Sequence, residues 1–303
     1  IRDGGLMNDH FFEDGTVRAV FEACRDGGID YMEIGYKGDP NVLSTEKFGP
    51  WKFCSEENIK RIVGDDKGDL KISVMADVGR TDYKRDIPAR SESPVDLVRI
   101  ACYIHQIPAA LDILKHAQDN GYETCFNLMA VSTVPDNELE SGLELVGFSG
   151  ADAVYVVDSF GSLYSEQVRH LVTKYQQFTQ NGMDVGIHAH NNQQLAFANS
   201  IEAITLGCNY VDGSLAGLGR GAGNCPTELL SGFLHNPKYK MRPLLKCIQE
   251  AIEPLRATMQ WGPDIPYMLM GLLNRHPREA IAFNAEKKPG SYVDFYDQIL
   301  DNA

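Results

Sequence analysis

Short apolar runs alternate with amphipathic stretches along the first two-thirds of this 303-residue chain, and few folds accept that order. Residues 29–35 (IDYMEIG), 70–77 (LKISVMAD), 97–102 (LVRIAC), 123–130 (ETCFNLMA), 153–158 (AVYVVD), 184–190 (DVGIHAH) and 210–214 (YVDGS) read as strands. Between them, 16–25, 108–120, 137–148, 165–179 and 195–206 read as helices; Val17, Val20, Phe21 and Cys24 in the first fall on one face. Strands separated by helices of 10–15 residues imply βαβ units and a parallel sheet. Several of the runs are apolar on both faces, as buried parallel strands require. Seven strands need one more to close a barrel, and residues 1–3 stand where the end of that strand would lie. The expected fold is therefore α/β: a (β/α)8 TIM barrel over residues 1–235 with a C-terminal helical appendage over 236–303. The appendage is expected to hold helices at 240–257, 266–274 and 293–300. The chain opens on Ile1, so the expectation is that its natural N-terminus is missing.

Charge narrows the function. With 28 Lys and Arg against 42 Asp and Glu, the net charge is −14. An acidic surface repels phosphate backbones and anionic membranes, so neither nucleic acid nor membrane is expected as a partner. A local arginine or a metal can still reverse the field for a small anion. The seven cysteines, at 24, 54, 102, 125, 208, 225 and 247, show no CxxC spacing. That reads as reduced thiols in a cytoplasmic protein. No signal peptide and no apolar run of membrane length is present.

A TIM barrel keeps its chemistry at the C-terminal ends of its strands. The polar residues there are Arg2, Asp3, Glu33, Asp77, Asn127, Asp158, Ser159, His188, His190, Asp212 and the loop 217–224. In His188-Ala189-His190 the two imidazoles point to the same side of a strand. With Asp3 they make two histidines and a carboxylate, the ligand set of a catalytic divalent ion with open positions. The alternative is a pair of buried, hydrogen-bonded histidines. Arg2 is a permanent cation beside that set and can hold an enolate or a carboxylate, or it can neutralise Glu33 and Asp158. The loop GLGRGAGN at 217–224 lacks the Lys-Ser/Thr of a phosphate-binding P-loop and follows the wrong strand for a dinucleotide fingerprint. Its Asn224 can ligate a metal or cap the following helix. Asn127 and Ser159 are expected to meet the substrate. Cys225 has no histidine beside it in sequence, and His105, His116, His170 and His235 lie away from the strand ends.

Taken together, Arg2-Asp3-Gly4-Gly5, His188-Ala189-His190-Asn191-Asn192 and the 217–224 loop resemble the DRE-TIM metallolyase superfamily. The resemblance covers roughly residues 1–235. The stretch 186–228 is most similar to its 4-hydroxy-2-oxovalerate aldolase branch. It implies that Asp3, His188 and His190 ligate a divalent metal (Mn²⁺, Mg²⁺ or Zn²⁺), with Asn224 as an additional ligand. It further implies that Arg2 stabilises an enolate, that Glu33 positions Arg2, and that Asp158 sits near the metal or substrate. The implied reaction cleaves or forms a carbon–carbon bond next to a carbonyl. The expected substrate is a 4-hydroxy-2-oxo acid, giving pyruvate and an aldehyde. A synthase condensing an acyl-CoA with a 2-oxo acid and a non-catalytic metal-binding barrel are the alternatives. The sequence departs from the aldolase pattern at Leu6, where that branch has a histidine; His10 is the expected replacement. It departs again at Arg220-Gly221, where the synthases have Glu-Arg, and in Cys225, which follows Asn224. Tyr267 in the appendage is expected to reach the barrel mouth. A homodimer and an aldehyde dehydrogenase partner are what the resemblance implies about assembly.

Overall fold

The computed structural model describes residues 1–179, 182–286 and 290–301. The chain runs α1 (Asp14–Gly27), β1 (Tyr31–Tyr36), α2 (Glu56–Val63), β2 (Lys71–Asp77), α3 (Tyr83–Asp86), β3 (Leu97–Cys102), α4 (Ile107–Asp119), β4 (Glu123–Leu128), α5 (Asp136–Gly147), β5 (Ala153–Asp158), α6 (Ser165–Phe178), β6 (Asp184–Ala189), α7 (Ala196–Thr205) and β7 (Tyr210–Val211). Then follow α8 (Thr227–Leu234), α9 (Met241–Cys247), α10 (Ile265–Leu272), α11 (Arg278–Ala285) and α12 (Tyr292–Asp301).

The seven strands form one parallel sheet in sequential order, β1 to β7, curled as in a TIM barrel. All six residues of β3 and of β5 are buried, which is why these strands read as continuous apolar runs. In α1 the predicted stripe of Val17, Val20, Phe21 and Cys24 is buried against the sheet. The helix stops at Gly28, whose φ of 73° suits a residue without a Cβ.

Seven strands are present among the described residues, and the sequence begins at Ile1, where the end of the eighth is expected. Residues 1–3 lie in a turn, but the Arg2 amide donates to the Glu33 carbonyl (3.2 Å), the bond a strand beside β1 would make. Among the described residues β1 and β7 share no ladder. β7 is also shorter than 210–214, because its chain leaves the sheet at Asp212 to form the turn leading into the glycine loop.

The helical region also differs in detail. The stretch 240–257 is not one helix: α9 passes into a π-helical turn at Ile248–Ile252 and a 3-10 turn at Glu253–Ala257. Pro254 has no N–H to give to the carbonyl four residues back, which breaks the regular ladder. Leu244, Cys247, Ile252, Met259 and Trp261 belong to the same apolar core as the barrel helices. A separate cluster of Tyr267, Met270, Ala280, Phe295 and Ile299 joins α10, α11 and α12 and reaches Ala222 in the glycine loop. Residues 287–289 and 302–303 of the expected appendage lie outside the described residues.

Candidate metal centre

The strand ends deliver the ligands. His188 and His190 project from the end of β6, and Asp3 approaches from the turn beside β1. One ligand atom from each of the three lies within 4.8 Å of the others, and all three residues are buried. The His190 Nδ1 stands 2.8 Å from the Asp158 carbonyl. A carbonyl only accepts, so Nδ1 carries the proton and Nε2 is left with a lone pair. His188 Nδ1 lies 3.0 Å from the Asp212 carboxylate, and its Nε2 has no partner. Each imidazole thus has a group behind it and a bare nitrogen in front, the arrangement that orients metal-bound histidines. The Nε2 atoms of His188 and His190, buried and without hydrogen-bond partners beside a carboxylate, fit a divalent cation.

Burial alone would raise the Asp3 carboxyl, but Arg2 and the two histidines outweigh it and hold it well below the usual carboxylate range. Burial depresses His190 to about 3, so its imidazole is neutral and available. Asp158 is pushed up to about 6, again by burial, which the Ser162 and Leu163 amides offset only in part.

Arg2 is fixed from two sides. Its Nε donates to Glu33 Oε2 and its Nη1 to Asp3 Oδ1, each at 2.6 Å. Nη2 makes no hydrogen bond among the described residues. Asn224 donates its amide to Asp3 Oδ2 (2.7 Å), while its oxygen is buried and unpartnered. It therefore supports Asp3 and keeps an acceptor free at the centre. Gly219 lets the loop approach: a Cβ there would come within 2.6 Å of Asp3 Oδ2.

A cavity of about 330 Å³ opens over this centre. Arg2, Asp3, Asn127, Ser159, His188 and His190 line it. Glu33 sits behind Arg2, and Asp158 behind His190. His10 is buried edge-to-face beside the Tyr36 ring, 5.3 Å centroid to centroid, and is not among the residues that line the cavity. Tyr267 likewise packs in the helical cluster and not on the cavity wall. All seven cysteines are unpaired and buried, and burial pushes Cys225 up to about 12, which leaves no thiolate nucleophile there.

One network escaped sequence reasoning. Arg99, central in β3 and buried, crosses the barrel interior to Asp212 (2.6 Å) and lies 3.4 Å from Glu33. It also donates to Asn127 Oδ1 (3.2 Å) and stacks 4.4 Å from the Tyr155 ring. One guanidinium thus connects the carboxylate behind Arg2 with the carboxylate behind His188. Its signal in the sequence is an arginine in the middle of an apolar strand.

A curled parallel sheet with a two-histidine, one-carboxylate centre at its C-terminal rim defines an α/β barrel of the metal-centre type. The HMGL-like family profile matches residues 1–251, and the chain belongs to that family. A 4-hydroxy-2-oxovalerate aldolase from Bacillus cereus (strain 03BB102) is 31% identical over 260 residues, 84% of this chain and 74% of that protein. 4-Hydroxy-2-oxovalerate aldolase 6 of Rhodococcus jostii is 33% identical over 238 residues, 77% of this chain and 65% of its own length. Among solved structures, the N-terminal domain of a candidate aldolase from Bacteroides vulgatus superposes with a TM-score of 0.84 at 28% identity, covering 100% of this chain and 97% of that one. The HMG-CoA lyase of Brucella melitensis superposes at 0.69 and 17% identity, over 84% and 96% of the two chains, and shares the fold. No helix among the described residues is long and apolar enough to cross a membrane.

Proposed function

We propose that this protein is a divalent-metal-dependent aldolase that cleaves or forms the carbon–carbon bond of a 4-hydroxy-2-oxo acid, with pyruvate as one product and an aldehyde as the other. The observation that carries the reading is Arg2, clamped by Glu33 and Asp3 beside the Asp3–His188–His190 cluster, with one guanidinium nitrogen left over. Asp3, His188 and His190 would hold the ion, and the Asn224 oxygen is at hand as a further ligand. When bound, a divalent ion supplies Lewis acidity at the 2-oxo group.

The rest falls to the side chains. As the C3–C4 bond breaks, the 4-hydroxyl gives its proton to a base, C4 becomes the aldehyde carbon, and the bonding pair passes into the enolate, whose negative charge develops on the 2-oxo oxygen before C3 takes a proton to give pyruvate. Arg2 stays charged and is already oriented, so it meets that charge without reorganisation. Glu33 and Asp3 hold Arg2 by two separate nitrogens, which leaves Nη2 as the donor. Asn127 has its oxygen occupied by Arg99, so its amide N–H groups are the part free to donate into the cavity. Ser159 accepts from the Ala130 amide (2.8 Å), which fixes its oxygen and leaves its O–H to donate.

The test is deuterium exchange into the pyruvate methyl group, followed by NMR with Mn²⁺ or Mg²⁺, with a chelator, and with Arg2→Ala. Exchange that needs the metal and disappears in Arg2→Ala supports enolisation at this site. Absence of exchange with any added metal, together with exchange into acetyl-CoA, would replace the aldolase by an acyl-CoA-condensing enzyme.

A further inference from the structure

The cavity over the metal centre carries more positive charge than a 2-oxo acid and a neutral aldehyde call for. Besides Arg2, its walls hold Lys52, Arg80, Arg220 and Arg278, in a chain whose net charge is −14. Asp3 and Asp77 are the carboxylates that line it, and Asp3 is already engaged by Arg2 and Asn224.

Lys52 is the informative member. Its side chain is buried, yet its ammonium makes no hydrogen bond and no ion pair among the described residues. It faces the Tyr36 ring, 3.6 Å from ring centre to Nζ, with the Phe48 ring further off at 5.9 Å. A buried lysine normally finds a carboxylate, because desolvation is costly without one. Here burial pulls the lysine below its ordinary range; Asp77 opposes this, while Arg80 and Arg2 add to it.

The position is held by construction. Lys52 ends the turn Pro50–Lys52, where the fully buried Trp51 donates its indole N–H to the Phe12 carbonyl (3.0 Å). The Lys52 carbonyl accepts from the Gly38 amide (3.0 Å). Gly35 has no room for a side chain against the Trp51 carbonyl, so β1 and this turn lie in direct contact. An unpaired ammonium held this firmly in a cavity wall is a preformed anion site. Arg80, exposed on the loop after β2, lines the same cavity, and its guanidinium makes no hydrogen bond or ion pair among the described residues.

From this we infer that Lys52, with Arg80, forms a second anion subsite, and that the aldehyde half of the substrate carries a carboxylate or a phosphate. The inference rests on the 2-oxo acid reading above, which places the other end of the substrate at Arg2 and the metal. It separates this chain from an enzyme whose aldehyde product is uncharged.

The test is a binding measurement on the Mg²⁺-loaded protein with ligands that lack the 4-hydroxyl and are not cleaved. Calorimetric titrations compare 2-oxoglutarate and 2-oxo-4-phosphonobutyrate with 2-oxopentanoate, a monoanion of similar length. The expected result is at least tenfold tighter binding of one dianion. The tighter of the two, carboxylate or phosphonate, identifies the terminal group. In Lys52→Met the ratio of dianion to monoanion affinity should fall toward one, and Lys52→Arg should restore it. Arg80→Met, at an exposed position that folding tolerates, should lower the ratio in the same direction. Equal affinity for dianion and monoanion, a ratio unchanged in Lys52→Met and Arg80→Met, or no binding of any of the three ligands would overturn the subsite. Pyruvate methyl exchange is read on the same preparations. Exchange without a dianion preference removes the subsite and keeps the aldolase; a preference without exchange does the reverse.

Discussion

Arg99 shows how a residue without contact to the cavity controls two that have it. It neutralises Asp212, which stands behind His188, and approaches Glu33, which holds Arg2. Removing one partner of a buried charge network leaves the others uncompensated, at a cost of about 3–5 kcal/mol. Arg99→Met should therefore lose about that much stability in urea denaturation; a loss below about 1 kcal/mol would show that the two carboxylates find other partners. Arg2→Ala is expected to behave differently. Its loss should slow pyruvate exchange by about a hundredfold or more, as removal of a preorganised donor does, while Mn²⁺ still binds. At this scale the sequence was legible where a motif announced itself. Arg2, Asp3, His188 and His190 sit together in the structure as the HxH spacing and strand-end placement suggested. Arg99 and Lys52 were not legible, because their meaning lies in partners, or the lack of them, far away in the chain. The setting of His10 was not legible either: the chain turns through left-handed backbone at Asp9 and His10, which brings the ring edge-to-face against Tyr36.

At the level of elements, the glycine loop after β7 is the part most sensitive to a single methyl group. Gly219→Ala would push a Cβ onto the Asn224 amide and Asp3 Oδ2. The variant should fold, with an unchanged far-ultraviolet circular dichroism spectrum, and bind Mn²⁺ at least tenfold more weakly by titration. Unchanged affinity would mean that the loop moves aside without disturbing Asp3. Strands were legible wherever both faces are buried: β3 and β5 fall on the predicted residues. The helices α2 and α11 were not. Each is only eight residues long and mixes apolar with charged residues, whereas the equally short α10 is almost wholly apolar and stood out. The stop in the 240–257 helix was present in the sequence as Pro254.

For the whole molecule, acid should act through histidines that the fold keeps neutral. His10 is held down to about 3, chiefly by burial and then by Lys52 and Arg2. An unfolded histidine titrates near 6.5, so below that pH the unfolded chain binds a proton that the folded one refuses. The associated stability is complete above about pH 6.5 and drains as pH falls toward 3, at about 1.4 kcal/mol per pH unit for one group. Wild type should lose that much more per unit between pH 6 and pH 4 than His10→Asn, measured by urea denaturation at each pH; parallel curves would count against it. Half-buried His276, lowered to about 4 mainly by burial, adds a contribution of the same sign.

The candidate metal centre gathers its ligands from parts of the chain far apart in sequence: Asp3 from the turn beside β1, His188 and His190 from the end of β6. An ion held by all three would tie the first residues to the far strands, so its binding free energy would also be folding free energy: at a concentration one hundred times Kd, roughly 2.7 kcal/mol. Stripping the ion with a chelator should lower the melting temperature and speed amide hydrogen exchange in the turn that carries Arg2 and Asp3, while the middle of the sheet stays protected; an unchanged melting temperature would show that the ion ties nothing together.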